Sequence, residues 1–384
     1  MKVSIIVLVV CAFMFCGVGI ASADALASLE ERVATLEAKD SSGALGELKV
    51  GGHLMMYMYD QSTGEVTNSS GVKTDQHNNA SAGLKDVYLY LDKELSDIVQ
   101  LNVAIDVIDI RASATPSLGS NITRATSTTT SSSLHTGTLT MLLPQDYELK
   151  VGTFYPIFAE EYARETWWHE QYHQNDGLSY LQSWQDTGME LYKNFEFDEW
   201  SLPVYLNLLN GQANVDNNDG KTILVHVAPE LFNGALRIPF SYGVGKRDTE
   251  DDFDLTRIAL GANYTYEKFN LSGEMYSNKY ENITATEDGD REGYYLRCLY
   301  SINNKWKALV KYSYAELYKT GGTVLRTDEY SALTLALNYN ITESSTIIPQ
   351  VSFIEADRTG STVASENNEK LEYVRWTLGW RTTF

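Results

Sequence analysis

The chain has 384 residues and carries 30 lysines and arginines against 51 aspartates and glutamates, a formal net charge of -21. That excess repels phosphate backbones and excludes a duplex nucleic-acid binder. The 25 tyrosines, 12 phenylalanines and 7 tryptophans stand beside 7 prolines and 3 cysteines, which excludes a disordered chain and a disulfide scaffold. Beyond the first 20 residues there is no apolar run long enough for a transmembrane helix.

Lys2, the apolar stretch from Val3 to Ile20 and then Ala21-Ser22-Ala23 predict a signal peptide over 1–23. Its removal leaves Cys298 as the single cysteine. Residues 24–40 come next, with Leu26, Leu29, Val33 and Leu36 on the spacing of a heptad seam bordered by Glu30, Arg32, Glu37 and Lys39. Two heptads are marginal alone, so a periplasmic coiled coil forms here only if another part of the molecule holds copies together. An isolated amphipathic helix on its own domain is the alternative. Residues 41–47, with Ser41-Ser42-Gly43, make the linker.

From Leu48 to the last residue the hydrophobic period is 2. Val99, Leu101, Val103, Ile105 and Val107, for example, alternate with Gln100, Asn102 and Asp106. Sixteen strands are predicted, near 48–59, 84–93, 98–109, 135–143, 147–154, 186–193, 200–210, 221–228, 235–245, 255–267, 270–280, 292–301, 306–316, 329–339, 346–356 and 371–384. Their connections alternate between short turns and long loops, the long ones at 60–83, 110–134, 155–185, 211–220, 246–254, 281–291, 317–328 and 357–370. One rim of short turns and one of long loops is the pattern of an all-β, up-and-down antiparallel barrel over 48–384. Strands of about ten residues also match a tilted span of the bilayer.

The carboxyl end is the most specific feature: Val374, Trp376, Leu378 and Trp380 alternate with Arg375, Thr377, Gly379 and Arg381, and the last residue is Phe384. This resembles the closing strand of bacterial outer-membrane barrels. Together with LASLEERVATLEAK from Leu26 to Lys39, LKVGGHLMMYMYD, ELKVGTFYPIF and YLNLLNGQ, the chain resembles the phosphate-selective porin O/P-like trimeric porins of sixteen strands. The resemblance implies a homotrimer in the outer membrane of a Gram-negative bacterium, surrounded by lipid. It implies no catalysis, no cofactor and passive diffusion of small hydrophilic solutes and ions.

By the alternation, Arg237, Arg257, Arg297, Lys307, Lys311 and Arg375 point inward from the second half, against Asp86, Asp92, Asp106 and Glu190 from the first. In general porins the third external loop folds into the lumen. The corresponding segment 155–185 carries Glu160, Glu161, Glu165, Glu170 and Asp176, with Arg164 as its permanent cation. Folded inward it sets an acidic loop against a basic wall and gives a weakly cation-preferring pore; lying outside, it leaves the same residues as solvated charges. His169-Glu170-Gln171-Tyr172-His173 satisfies H-E-x-x-H, a zinc-hydrolase signature when on a catalytic helix, but with Asp176 and Ser179 at the later positions the metzincin continuation fails. A polar loop helix is the expected reading, with an incidental metal site at His169 and His173 as the alternative. A barrel sheathing a separate multihaem cytochrome is the second functional class.

Overall fold

The computed structural model describes residues 48–67, 72–109, 133–163, 178, 182, 184–211, 220–247, 253–284, 287–321, 324–359 and 369–384. The predicted signal peptide, coiled-coil seam and linker over 1–47 lie outside the described residues. In chain order the strands are β1 (Leu48–Thr67), β2 (Lys73–Ser96), β3 (Val99–Asp109), β4 (Ser133–Leu143), β5 (Tyr147–Phe154), β6 (Asp186–Glu196) and β7 (Trp200–Leu209). Next come β8 (Thr222–Val227 continued by Glu230–Leu231), β9 (Leu236–Arg237 continued by Phe240–Arg247), β10 (Phe253–Tyr266), β11 (Phe269–Thr284) and β12 (Glu287–Ser301). The last four are β13 (Trp306–Gly321), β14 (Val324–Thr342), β15 (Ser345–Thr359) and β16 (Glu369–Thr383). β8 and β9 are each interrupted beside a proline, Pro229 and Pro239, which has no N–H for the ladder. Both pieces of β8 nevertheless pair with β7, and both pieces of β9 pair with β10.

Every strand pairs antiparallel with its sequence neighbours, and β1 closes the ring by pairing with β16, His53 opposite Thr383 and Tyr57 opposite Gly379. The last residue completes the seam: Gly52 N–H donates to the Phe384 carbonyl at 2.9 Å and Phe384 N–H returns to the Gly52 carbonyl at 3.1 Å. A Cβ at Gly52 would meet the Phe384 ring and approach the Tyr88 carbonyl to 2.9 Å, so glycine leaves room for the terminal ring at this crossing. Closure leaves no unpaired edge, which is the condition for a sheet to sit in hydrocarbon.

The barrel is inverted relative to a soluble one. Arg297 is 6% exposed while its neighbour Leu296 is 63% exposed, and Arg375 is 5% exposed while Trp376 is 59% exposed. Charged side chains therefore face the interior and large apolar ones the exterior, as a membrane-spanning barrel demands. All sixteen expected strands are present. Several expected loops are shorter than predicted, because the strands continue through them. β1 runs to Thr67 and β2 begins at Lys73, β11 and β12 meet at Thr284 opposite Glu287, and β13 and β14 meet at Gly321 opposite Val324. The apolar alternation is needed only within the lipid, whereas the backbone ladder satisfies itself in water as well, so strands outrun their hydrophobic pattern.

Candidate functional site

After β5 the chain turns into the barrel instead of away from it. Phe158, Ala159, Leu178 and Trp184, from the two ends of the 155–185 connection, are buried in one apolar cluster with Leu224 of β8 and Tyr276 of β11. The short helical turn α1 (Glu160–Ala163) begins against the wall. Its first N–H groups have no acceptor within the turn. Here they donate to the Glu274 carboxylate of β11, from Glu160 N at 2.8 Å and from Glu161 N at 3.2 Å. The Tyr276 and Tyr295 hydroxyls donate to the same carboxylate at 2.8 and 3.3 Å.

The two glutamates of this turn are both paired. Glu160 Oε1 accepts from Arg237 Nε at 3.0 Å and Nη2 at 2.6 Å, and His226 Nε2 lies 3.0 Å from it. Arg237 reaches on to Glu230 through Nη1. Glu161 Oε2 accepts from Lys311 Nζ and from Gln182 Nε2, at 3.0 and 3.1 Å. Ser241 donates to the Phe158 carbonyl at 2.6 Å.

The far end of the connection is fixed by Asp186, which accepts from Trp184 Nε1 at 3.1 Å, Thr187 N at 2.8 Å and Gly211 N at 3.0 Å. Gly211 has φ +86, a conformation open to glycine without strain. The Arg257 guanidinium lies 4.4 Å over the Trp184 ring, a cation–π contact that adds a further clamp.

This geometry corrects one expectation. Glu160 and Glu161 do not oppose the basic wall across an aqueous gap; they are in contact with it, Glu161 paired with Lys311 and Glu160 with an Arg237 that Glu230 shares. A buried carboxylate is stable only with such a partner. Arg164, Glu165, Glu170, Asp176, His169 and His173 lie outside the described residues. Among the described residues no group of three or more histidine, cysteine or acidic side chains is placed to hold a metal ion.

On the wall, Asp106, Glu190, Arg237, Arg257, Arg297, Lys311 and Arg375 are all buried on the inner face. Glu190 is paired with Lys150 at 2.6 Å, and Asp92 accepts from Asn102 Nδ2 at 2.7 Å. Lys307 shares the inward register of Leu309 and Lys311 near the 302–305 turn. Asp86 is placed only by its backbone, opposite Met55. Of the expected wall residues the cations thus lie on β9 to β16 and Asp92, Asp106 and Glu190 on β2 to β6, while Lys150 on β5 and Glu274 on β11 break the division. Glu274, His226 and Gln182 were not anticipated. Glu274 shares the inward parity of Ser272 and Tyr276, but that signal carries no hint that it accepts N–H groups 114 and 113 residues away.

Residues 174–359 match the family model described as Gram-negative porin. No curated protein sequence matches the chain. Among solved structures, OmpT of Vibrio cholerae in its trimer form aligns with 88% of this chain and 99% of its own, at 11% identity and a TM-score of 0.57. This is a porin fold. DcaP, an outer-membrane channel of Acinetobacter baumannii, aligns over 88% of this porin-like chain and 97% of its own at 11% identity and a TM-score of 0.55. The anion-selective porin from Comamonas acidovorans covers 88% and 100% at 14% identity and a TM-score of 0.51. At these identities the structural likeness speaks for the fold.

Proposed function

We propose that the protein is a porin of the Gram-negative outer membrane, forming a water-filled channel for passive diffusion of small hydrophilic solutes and ions, without catalysis. The observation that carries this reading is the inverted barrel of sixteen strands with a connection clamped inside it. A barrel of this size leaves an aqueous lumen, and the inward segment from Pro156 to Ala163 narrows it at the level of Glu274. With Arg237, Lys311 and Glu190 already paired, the remaining inward cations of β9 to β16 and inward acids of β2 and β3 set up a weak transverse field that orients dipolar solutes without demanding one substrate. Selectivity among inorganic ions is weak and favours cations through the acidic balance of the whole chain, net -21; the paired Glu160 and Glu161 contribute little to it.

Three copies assemble, with the seam Leu26, Leu29, Val33 and Leu36 as a periplasmic bundle of porin O/P-like type. The trimer form of the structurally similar OmpT supports that reading, as does a seam too short to persist alone. Planar-bilayer recording with the purified protein tests the channel: stepwise current in potassium chloride, arriving in triplets, is expected. A protein that inserts yet passes no current would refute it.

A further inference from the structure

His226 of β8 is fully buried and has a hydrogen-bond partner at each ring nitrogen. Nδ1 lies 2.7 Å from Ser241 Oγ, and Nε2 lies 3.0 Å from Glu160 Oε1. These partners decide where the ring protons are. The Ser241 hydroxyl spends its one proton on the Phe158 carbonyl, at 2.6 Å, and a carbonyl has none to return. Ser241 Oγ therefore accepts from the ring, and Nδ1 carries a proton. Glu160 Oε1 accepts from Arg237 Nε and Nη2 at 3.0 and 2.6 Å, as an ionised carboxylate oxygen does. It accepts from the ring as well, so Nε2 carries a proton. An imidazole with both protons is a cation.

The surrounding charge agrees with this assignment. Arg237 of β9 serves two carboxylates, Glu160 of α1 and Glu230 of β8, and an imidazolium makes this group of four neutral. Tyr205 of β7 packs against the ring in a T-shaped contact, 5.5 Å between centroids. On the far side of the turn, Glu161 is engaged with Lys311, and Glu274 with the turn's own N–H groups.

Loss of one proton removes a bond to the inward segment whichever nitrogen gives it up. Without the Nε2 proton, two acceptors face each other, the ring nitrogen and Glu160 Oε1. Without the Nδ1 proton, Ser241 must turn its hydroxyl to the ring and abandon the Phe158 carbonyl. An imidazolium that holds a carboxylate supports the seated turn while it is protonated, and that support is lost as pH rises.

We infer that His226 is a doubly protonated latch on the inward segment, a pH-sensitive device that loosens the segment from the wall and widens the channel under alkaline conditions. The inference rests on the channel reading and adds a regulation to it.

Nitrogen NMR of the full-length, histidine-labelled protein in detergent reads the protons directly, with the His226→Gln difference spectrum assigning the ring. Two protonated-type nitrogens are expected at neutral pH. Single-channel conductance is then followed from neutral to strongly alkaline pH, where the native protein should show a rise that tracks the one-proton NMR titration. His226→Gln should lose that step. Ser241→Ala removes the acceptor that obliges Nδ1 to hold a proton, so a neutral ring protonated at Nε2 serves Glu160 throughout. This variant should also lose the step and stay at the lower conductance. Heat-modifiable gel mobility reports whether each variant folds. A single protonated nitrogen at neutral pH overturns the inference, as does native conductance indifferent to pH across the NMR titration, or an alkaline step that survives in either folded variant. Absence of current with both nitrogens protonated overturns the channel reading and leaves the proton assignment standing.

Discussion

The inward Arg237, Glu274 and Lys311 are met by a connection that enters from elsewhere in the chain, whereas Arg297 is met by Ser272 and Asn270 of the wall and Arg375 lies over the ring of Tyr373. Lys311 meets Glu161 across 150 residues of sequence; Arg375 sits over the ring of Tyr373, two residues away on its own strand. The same alternation of charged-in and apolar-out thus serves two ends. One set of charges fixes a segment inside the barrel, and the other stays with the wall that carries it.

The largest test of this contrast compares two cation removals. Lys311→Met strands the Glu161 carboxylate in a buried site, so it is expected to cost about 3–5 kcal/mol. Arg375→Met removes a guanidinium lying over the Tyr373 ring, and about 1 kcal/mol is expected. Denaturant unfolding in detergent micelles measures both. Equal costs would show that the two regions are held in the same way.

Next in size is a contrast within β16. Leu378 faces outward at 47% exposure while Thr377 is buried at 4%. Leu378→Arg should cost about 2–4 kcal/mol near the bilayer midplane and less toward either rim, and reduce folding yield into lipid vesicles. Thr377→Arg, pointing inward, should fold nearly as well as the native chain. Equal yields would mean that the register of the closing strand is displaced by one residue.

Release of the inward segment comes third. Glu274→Ala removes the acceptor shared by two backbone N–H groups and two tyrosine hydroxyls. Each donor left buried without a partner costs about 1–3 kcal/mol, so the turn at Glu160 is expected to leave the wall while the strands stay paired. A higher single-channel conductance with unchanged heat-modifiable mobility is the expected result. Unaltered conductance would mean that the apolar contacts of Phe158 and Trp184 suffice to hold the turn.

The strands were legible because lipid on one side and water on the other impose a period of 2, and the inward parity of Arg297, Lys311 and Arg375 followed from it. Pairing across the barrel was not legible. Nothing in the local pattern of FNLSGEMYS from Phe269 to Ser277 distinguishes Glu274, which anchors a distant turn, from a glutamate that faces open water. The sequence also placed Glu160 and Glu161 among loop charges, since acidity marks a solvated segment as readily as one about to be neutralised by contact. Strand ends past the membrane were underestimated at Thr67, Thr284 and Gly321 because polar residues carry no periodic signal even where the ladder continues.

The smallest expected effect sharpens the contrast most, because it separates charge from structure. In Glu161→Gln the Lys311 ammonium loses its counter-charge, so the lumen gains one net positive charge and the reversal potential in a salt gradient should move toward anions. In Glu161→Gln combined with Lys311→Gln both charges are gone, and the reversal potential should return to within a few millivolts of the native value even though both side chains differ. Arg375→Gln removes an inward cation of the closing strand, so it should move the potential the other way, toward cations. All three shifts should shrink as salt rises from 0.1 M to 1 M and the screening length falls from about 10 to about 3 Å. A double variant that keeps the shift of Glu161→Gln would show that the change comes from displacement of the inward segment, and the pairing of Glu161 with Lys311 would then no longer explain why the acidic turn contributes so little to selectivity.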